Sequence, residues 1–202
     1  MNRRSMISEK ADIGKNVTIS DTAIIYDNVT IGDNTFIGPY CVIGEPTKNY
    51  YNDPINHKSK LTAIGSGSII RSFTTIYEDV KIGEAFQTGH YAVIREGTTI
   101  GNFSSFGSHS ETPGRSTIGN YVRIHSKVML SENNIIEDFV WIFPFVVLTN
   151  VKHPPLGDLL VTTIKEYSLI FANVTVLPGI TIGRNSIIGA GALVTKDVLD
   201  ER

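Results

Sequence analysis

The chain has 202 residues, with 41% hydrophobic and 19% charged side chains, one cysteine and a formal net charge of −2. That length suggests one domain with a continuous core, and the composition excludes a disordered chain. The near-neutral charge gives no general case for nucleic acid or an anionic membrane, and no apolar run is long enough for a membrane span. The basic start MNRRSMISEK has no apolar segment behind it to make a signal peptide, so a cytoplasmic setting is expected.

From Ile13 an apolar residue recurs at every sixth position, through Ile19, Ile25, Ile31, Ile37 and Ile43. Ala11, Val17, Ala23, Val29, Thr35 and Cys41 fill a companion position two residues earlier. A helix wants a period near 3.6 and an amphipathic strand a period of 2. Six fits short strands joined by tight turns, three hexads to a coil, stacked as a parallel β-helix. Gly14, Gly32, Gly38 and Gly44 follow the inward residue, where a corner can demand glycine's conformational freedom. Cys41 falls on a small inward position, so no disulfide is expected.

The register breaks at EPTKNYYNDPINHKSK, an excursion over about residues 45–61, and resumes at Ile64. Ile70, Ile76, Ile82, Thr88, Ile94, Ile100, Phe106 and Ile118 follow. Residues Ser108 to Arg115 add no length, but they read as a poor strand and a good turn. The clearest stretch is VRIHSKVMLSENNIIEDFVWIFPFVVL, with Ile124, Leu130, Ile136, Ile142 and Leu148 in step. A second excursion covers about 150–167, after which Ile170, Val176, Ile182, Ile188 and Val194 close the pattern. No helix is expected, apart from a short turn after Lys196. The expectation is therefore an all-β, single-domain parallel β-helix over residues 11–198 with two excursion loops and a tail at 199–202.

Residues three hexads apart stack about one strand spacing, ~4.8 Å, apart. His90 then lies under Ser108 and two coils below Ser126, while His109 sits between Tyr91 and Lys127 and His125 follows Ile124 at a corner. Three of the five histidines thus share one edge. Histidine titrates near neutrality and suits a base that strips a proton from a nucleophile, and backbone N–H groups at corners suit an oxyanion. His90 is the first candidate base, and His109 and His125 are candidates to orient substrate. On another edge Glu78, Glu96 and Glu132 stack, with Arg95 beside them to offset their repulsion or to join them in gripping sugar hydroxyls and an amine. Tyr50 and Tyr51 on the first loop are placed to stack a nucleotide base.

These hexads resemble those of the bacterial hexapeptide-repeat acyltransferases over nearly the whole chain. ANVTVLPGITIGRNSIIGAGALVTKDV resembles the C-terminal signature of the acetyl- and acyl-CoA-dependent members. VWIFPFVVLTNVKHPP resembles the end of the central coils in members that acetylate nucleotide-linked amino sugars. The resemblance implies a left-handed β-helix and a homotrimer with active sites between neighbouring coils of different subunits. It implies an acyl-CoA, most simply acetyl-CoA, as co-substrate, with Ala172 and Ala190 along the pantetheine and Lys196 at the phosphates. Asn150 matches a sugar contact, and His153 resembles the loop histidine of sugar O-acetyltransferases, which makes it the rival base. The expected activity is acyl transfer to a sugar, foremost the amine of a nucleotide-linked amino sugar, with O-acetylation as the nearest variant. Where relatives are Gly-rich this chain has Tyr167 to Phe171, so Phe171 is positioned to narrow the pantetheine path. Two other classes stand beside this one. A γ-carbonic-anhydrase-like zinc lyase uses the same coil and three histidines, and a β-helix can also serve as a non-catalytic scaffold. No resident metal is expected.

Overall fold

The computed structural model describes residues 6–153 and 157–202. Pro154 and Pro155, the prolines of the HPP segment, lie outside the described residues together with Leu156. The chain winds as a left-handed parallel β-helix with a triangular section. The first face carries strands Met6–Ile7, Ile24–Ile25, Val42–Glu45, Thr75–Tyr77, Val93–Ile94 and Glu111–Thr112. It continues through bridges at Met129 to Val147–Leu148, Thr175–Val176 and Leu193–Val194. The second and third faces are nine-stranded sheets, running from Asp12–Ile13 to Thr181–Ile182 and from Thr18–Ile19 to Ile187–Ile188. All pairings are parallel, and successive coils pair three hexads apart, as in Lys81 with Thr99 and Thr99 with Thr117.

Two steps are longer. Ile31 pairs with Ile64, so the first excursion lengthens its coil by two and a half hexads. Ile136 pairs with Ile164, so the second lengthens its coil by less than two. Both excursions leave after a first-face strand and return on a second-face strand, so they project from the same edge. The core is the column of inward residues: Ile37, Ile43, Ile70, Ile94, Leu130, Ile142, Ile170 and their companions Cys41, Ala92, Val122 and Val140 are buried. Burying each large aliphatic side chain of this column contributes about 1.5–3 kcal/mol.

The structure corrects the sequence reading in five places. The first excursion contains a short helix, Lys48–Asn52. Glu111–Thr112 is a regular strand between Val93–Ile94 and the Met129 bridge, because Thr112 fills the inward slot in place of isoleucine. The coil begins before residue 11, at Met6–Ile7. At the other end residues 199–202 are not a free tail: the Ser186 hydroxyl donates to the Leu199 carbonyl and the Ile187 N–H to the Arg202 carbonyl. Finally, Gly14, Gly32 and Gly38 do not take left-handed φ. A Cβ on Gly32 would lie 2.5 Å from the Ser66 nitrogen, so glycine is there to let coils approach. Gly44 does take left-handed φ, at +80°, and many other left-handed corners fall on asparagines and aromatics such as Asn16, Asn34, Tyr91, Phe103 and Tyr121.

Those left-handed aromatics stack. Tyr40, Phe73, Tyr91 and His109 form one ladder with ring centroids 4.6–5.0 Å apart, on the edge between third and first faces. Phe103, Tyr121, Phe139 and Tyr167 form another at 4.9–5.0 Å, on the edge between second and third faces.

Candidate functional site

Three cavities concentrate the polar chemistry. The first lies on the edge between third and first faces and has a volume of about 410 Å³. It is lined by His90 and His125 with Ser108 and Ser126, and by Arg71 and Arg123. All three predicted histidines lie along this edge, and His90 and His125 line its cavity. The His90 N–H donates to Ser108 Oγ at 2.9 Å, and the His125 ring stacks at 4.9 Å on Phe143. Phe143 in turn stacks at 4.8 Å on Phe171, so Phe171 extends an aromatic column and is not a lone obstruction. His109 stays outside this cavity, stacked on Tyr91 at 4.9 Å. No carboxylate lines the cavity, and neither histidine ring has a side-chain hydrogen-bond partner among the described residues.

The second cavity, about 700 Å³, lies where the second excursion meets the last coils on the edge between first and second faces. It brings Lys152, His153 and Lys196 together over Leu177, Pro178 and Gly179, with Asp197 the acidic lining residue. The Asp197 carboxylate accepts the Thr181 N–H at 2.8 Å. Asn150 sits at the loop mouth, where its carbonyl accepts the Leu160 N–H at 2.8 Å. Ala172 and Ala190 are not part of this cavity. They stack at the edge between third and first faces, in the same column as His90, so the residues expected along one cofactor fall on two edges. Two other cations of the last coils are engaged elsewhere: Lys165 pairs with Asp200 at 3.5 Å and Arg184 with Glu166.

The third cavity was not foreseen. The first excursion folds over the same edge as the second and encloses about 690 Å³. Its wall holds Glu78, 2% exposed, and His57, whose Nε2 lies 3.0 Å from Glu78 Oε2. The Thr47 N–H and hydroxyl both reach Glu78 Oε1 at 2.9 Å, and the Lys60 N–H reaches Oε2 at 2.9 Å. Burial alone would push the Glu78 carboxyl up, but these donors outweigh it and hold it below the usual carboxylate range. One carboxylate thus clamps both ends of the excursion.

This also corrects the expected acidic stack. Arg95 does not relieve Glu78. It forms a two-pronged pair with Glu96, Nε and Nη2 at 3.0 Å each, and lies over the Tyr77 ring at 5.1 Å. Glu132 pairs with Arg115 at 3.3 Å, and Gly114 separates it from Glu96 in the column. Tyr50 and Tyr51 are not a paired platform. They meet edge-on at 5.2 Å, Tyr50 packs edge-on against His57, and Tyr51 donates to Glu45 at 2.5 Å. That bond pushes the Tyr51 phenol up to about 12. The one signal that could have flagged His57 was its place in the most polar loop. Its partner, Glu78, lies beyond the loop on the resumed coil, and only the excursion's fold unites them. Among the described residues no three His, Cys, Asp or Glu side chains converge as metal ligands.

A left-handed hexapeptide coil with excursion loops defines a known class, and comparison agrees. The model for bacterial transferase hexapeptide (six repeats) matches residues 10–45 and 162–196. The matched segments, about a third of the chain, carry the repeat of that family. It is 43% identical over 65 residues to a galactoside O-acetyltransferase of Lactococcus lactis, a match covering 28% of this chain and 31% of that protein. It is 25% identical over 163 residues to a chloramphenicol acetyltransferase of Agrobacterium fabrum, covering 75% and 69% of the two chains. The match to the galactoside relative thus spans about a third of that protein's length. A UDP-N-acetylglucosamine acyltransferase structure from Francisella novicida superposes with a TM-score of 0.70 at 22% identity, over 89% of this chain and 63% of that one, a likeness of fold.

Proposed function

We propose that the protein is an acyl-CoA-dependent acyltransferase, most simply an acetyltransferase, that acts on a sugar. The observation that carries this reading is the cavity of the second excursion, where Lys152, His153 and Lys196 converge on coils that match the family model. A cationic cleft over a largely apolar floor suits the phosphates and thin arm of CoA. The acetyltransferase names of the relatives support the same chemistry. In this reaction the acceptor's oxygen or nitrogen attacks the thioester carbonyl, corner N–H groups stabilise the oxyanion, and CoA leaves as thiolate. His153 and His90 are the proposed proton acceptors, with His109, His125, Arg95, Glu96 and Asn150 toward the sugar.

The active form is a homotrimer. His90, Ala172 and Ala190 occupy one edge of the prism and His153 and Lys196 another, and a neighbouring copy can bring two such edges together. The reaction runs in the cytoplasm, where acyl-CoA is available, and no helix among the described residues is long and apolar enough to cross a membrane. The acceptor foreseen from the sequence is the amine of a nucleotide-linked amino sugar. The place of His153 in this cavity favours the hydroxyl variant, because a hydroxyl needs a base where a neutral amine does not.

Calorimetry with acetyl-CoA tests the reading. Micromolar binding without added metal supports it, and hydroxyl and amino sugars then separate the two acceptors. Absence of CoA binding overturns it, and stoichiometric zinc uptake in its place would favour the lyase.

A further inference from the structure

The histidines proposed above as bases have no carboxylate to orient them. Among the described residues only His57 does, and it lines a cavity large enough for a sugar derivative. We infer that the cavity under the first excursion is the acceptor site, with His57 as its general base and Glu78 as the residue that positions His57. This deepens the acyltransferase reading, on which it rests, and moves the proton-accepting role to a residue that the sequence does not single out.

Four observations carry it. First, the Glu78 side chain is 3% exposed and that of His57 12%, so the pair is shielded from water. Second, Glu78 is held ionised by three donors besides His57, and it therefore fixes the imidazole with the proton on Nε2. Third, Nδ1 has no hydrogen-bond partner among the described residues, so its lone pair is unengaged in a ring that lines the cavity. Tyr50, packed edge-on at 5.5 Å, holds the ring from the side. Fourth, the remaining wall is polar, with Asn49, Asn56, Lys60 and Glu96 among its residues, which suits a polyhydroxylated acceptor.

The step balances. As the acceptor's O–H or N–H attacks the thioester carbon, its proton passes to His57 Nδ1, the new C–O or C–N bond forms, and the carbonyl electron pair moves to oxygen. The tetrahedral intermediate collapses, the C–S bond breaks, and the thiolate takes the proton from His57. Glu78 stays ionised and accepts no proton. The acyl group comes from the other excursion's cavity on the same edge. Glu78 and Asn150 are four coils apart in one column, ~19 Å, which the extended pantetheine arm must bridge.

His57→Gln tests this, because the glutamine amide still donates to Glu78 while the lone pair of the base is gone. Thiol release from acetyl-CoA is measured against a panel of neutral, amino and nucleotide-linked sugars between about pH 5 and 8. The charged groups facing the pair are Lys48, Asp53, Lys58 and Lys60 from the loop and Asp79, Glu96 and Arg115 from the coils. Wild-type kcat should climb with pH over this range. His57→Gln should lose about a hundredfold or more in kcat and flatten that climb, with acetyl-CoA affinity and loop hydrogen exchange unchanged. A climb that survives in His57→Gln but is lost in His90→Ala or His153→Ala overturns the assignment. Wild-type-like kcat in His57→Gln overturns the assignment and leaves the acyltransferase reading standing. No acetyl-CoA binding, or no thiol release by the wild type with any sugar, overturns both.

Discussion

Glu78→Gln isolates the clamp that builds the first-excursion cavity. Glu78 Oε1 takes the N–H and hydroxyl of Thr47, and Oε2 takes the Lys60 N–H and His57. An amide offers one oxygen, so its NH2 group must face one of these pairs. The Thr47 hydroxyl can turn to accept and the imidazole can change tautomer, but a backbone N–H cannot. Whichever way the amide turns, the N–H of Thr47 or of Lys60 is stranded, at a cost of about 1–3 kcal/mol. The other bonds lose their charge assistance, while the freed loop ends recover some water, so the net loss is roughly 2–3 kcal/mol. Solenoid contacts are local, so the excursion should open without the coils unfolding. Hydrogen-exchange protection over residues 45–61 should fall by roughly 30- to 150-fold at neutral pH.

The pH dependence has a definite sign. The folded carboxyl sits below its unfolded value, so its contribution is complete above about pH 4.3 and is lost as pH falls through the folded value. The gap in protection between wild type and variant should therefore close in acid. A gap under about threefold at neutral pH, or one that persists undiminished at about pH 3, would refute the clamp.

Three further outcomes follow from the same geometry. Lys196→Ala should weaken acetyl-CoA binding about tenfold or more in calorimetry and leave the unfolding midpoint unchanged, since the side chain is exposed and lines the second-excursion cavity. Tyr91→Ala removes stacks on Phe73 at 4.6 Å and on His109 at 4.9 Å, and denaturant unfolding should register about 1–3 kcal/mol. Gly107→Ala would drive a Cβ to 2.3 Å from the His125 carbonyl carbon and should cost at least about 2 kcal/mol, whereas Gly189→Ala, with nothing within 4 Å, should stay within about 0.5 kcal/mol. Equal melting curves for the two glycine variants would sink the close-approach account of the corners.

The coil was legible because its signal is redundant. Every sixth residue reports on the same inward slot, so a deviation such as Thr112 is outvoted by Ile94 on the paired strand and Ile118 in the next hexad. The His90 and His125 cavity was legible for the same reason, since stacking at three-hexad intervals needs no loop to be understood. The His57 and Glu78 pair was not. The first excursion inserts a length that is no multiple of the hexad, and its path depends on one carboxylate gripping Thr47 and Lys60 from another coil. Corner glycines misled differently: periodicity locates a corner but does not say whether φ or close approach requires the missing Cβ. Here Gly32 answers to close approach, and Asn34 takes the left-handed turn two residues on.

The edges of the prism divide the chemistry in a way that bears on assembly. Both excursions rise from the edge between first and second faces, and with them come His57, Glu78, His153 and Lys196. His90, His125, Ala172 and Ala190 line the edge between third and first faces, separated from the others by the width of the first face. A rigid coil packed along its axis cannot close that gap by bending, because every inward residue is locked between the coils above and below. If both edges serve one reaction, two copies must meet edge to edge. If the acceptor is handled by His57 alone, the edge with excursions is a complete site, and the His90 cavity with its arginines is left for contact with a neighbour. The kinetic comparison of His57→Gln with His90→Ala therefore reports on the architecture of the assembly as well as on the base.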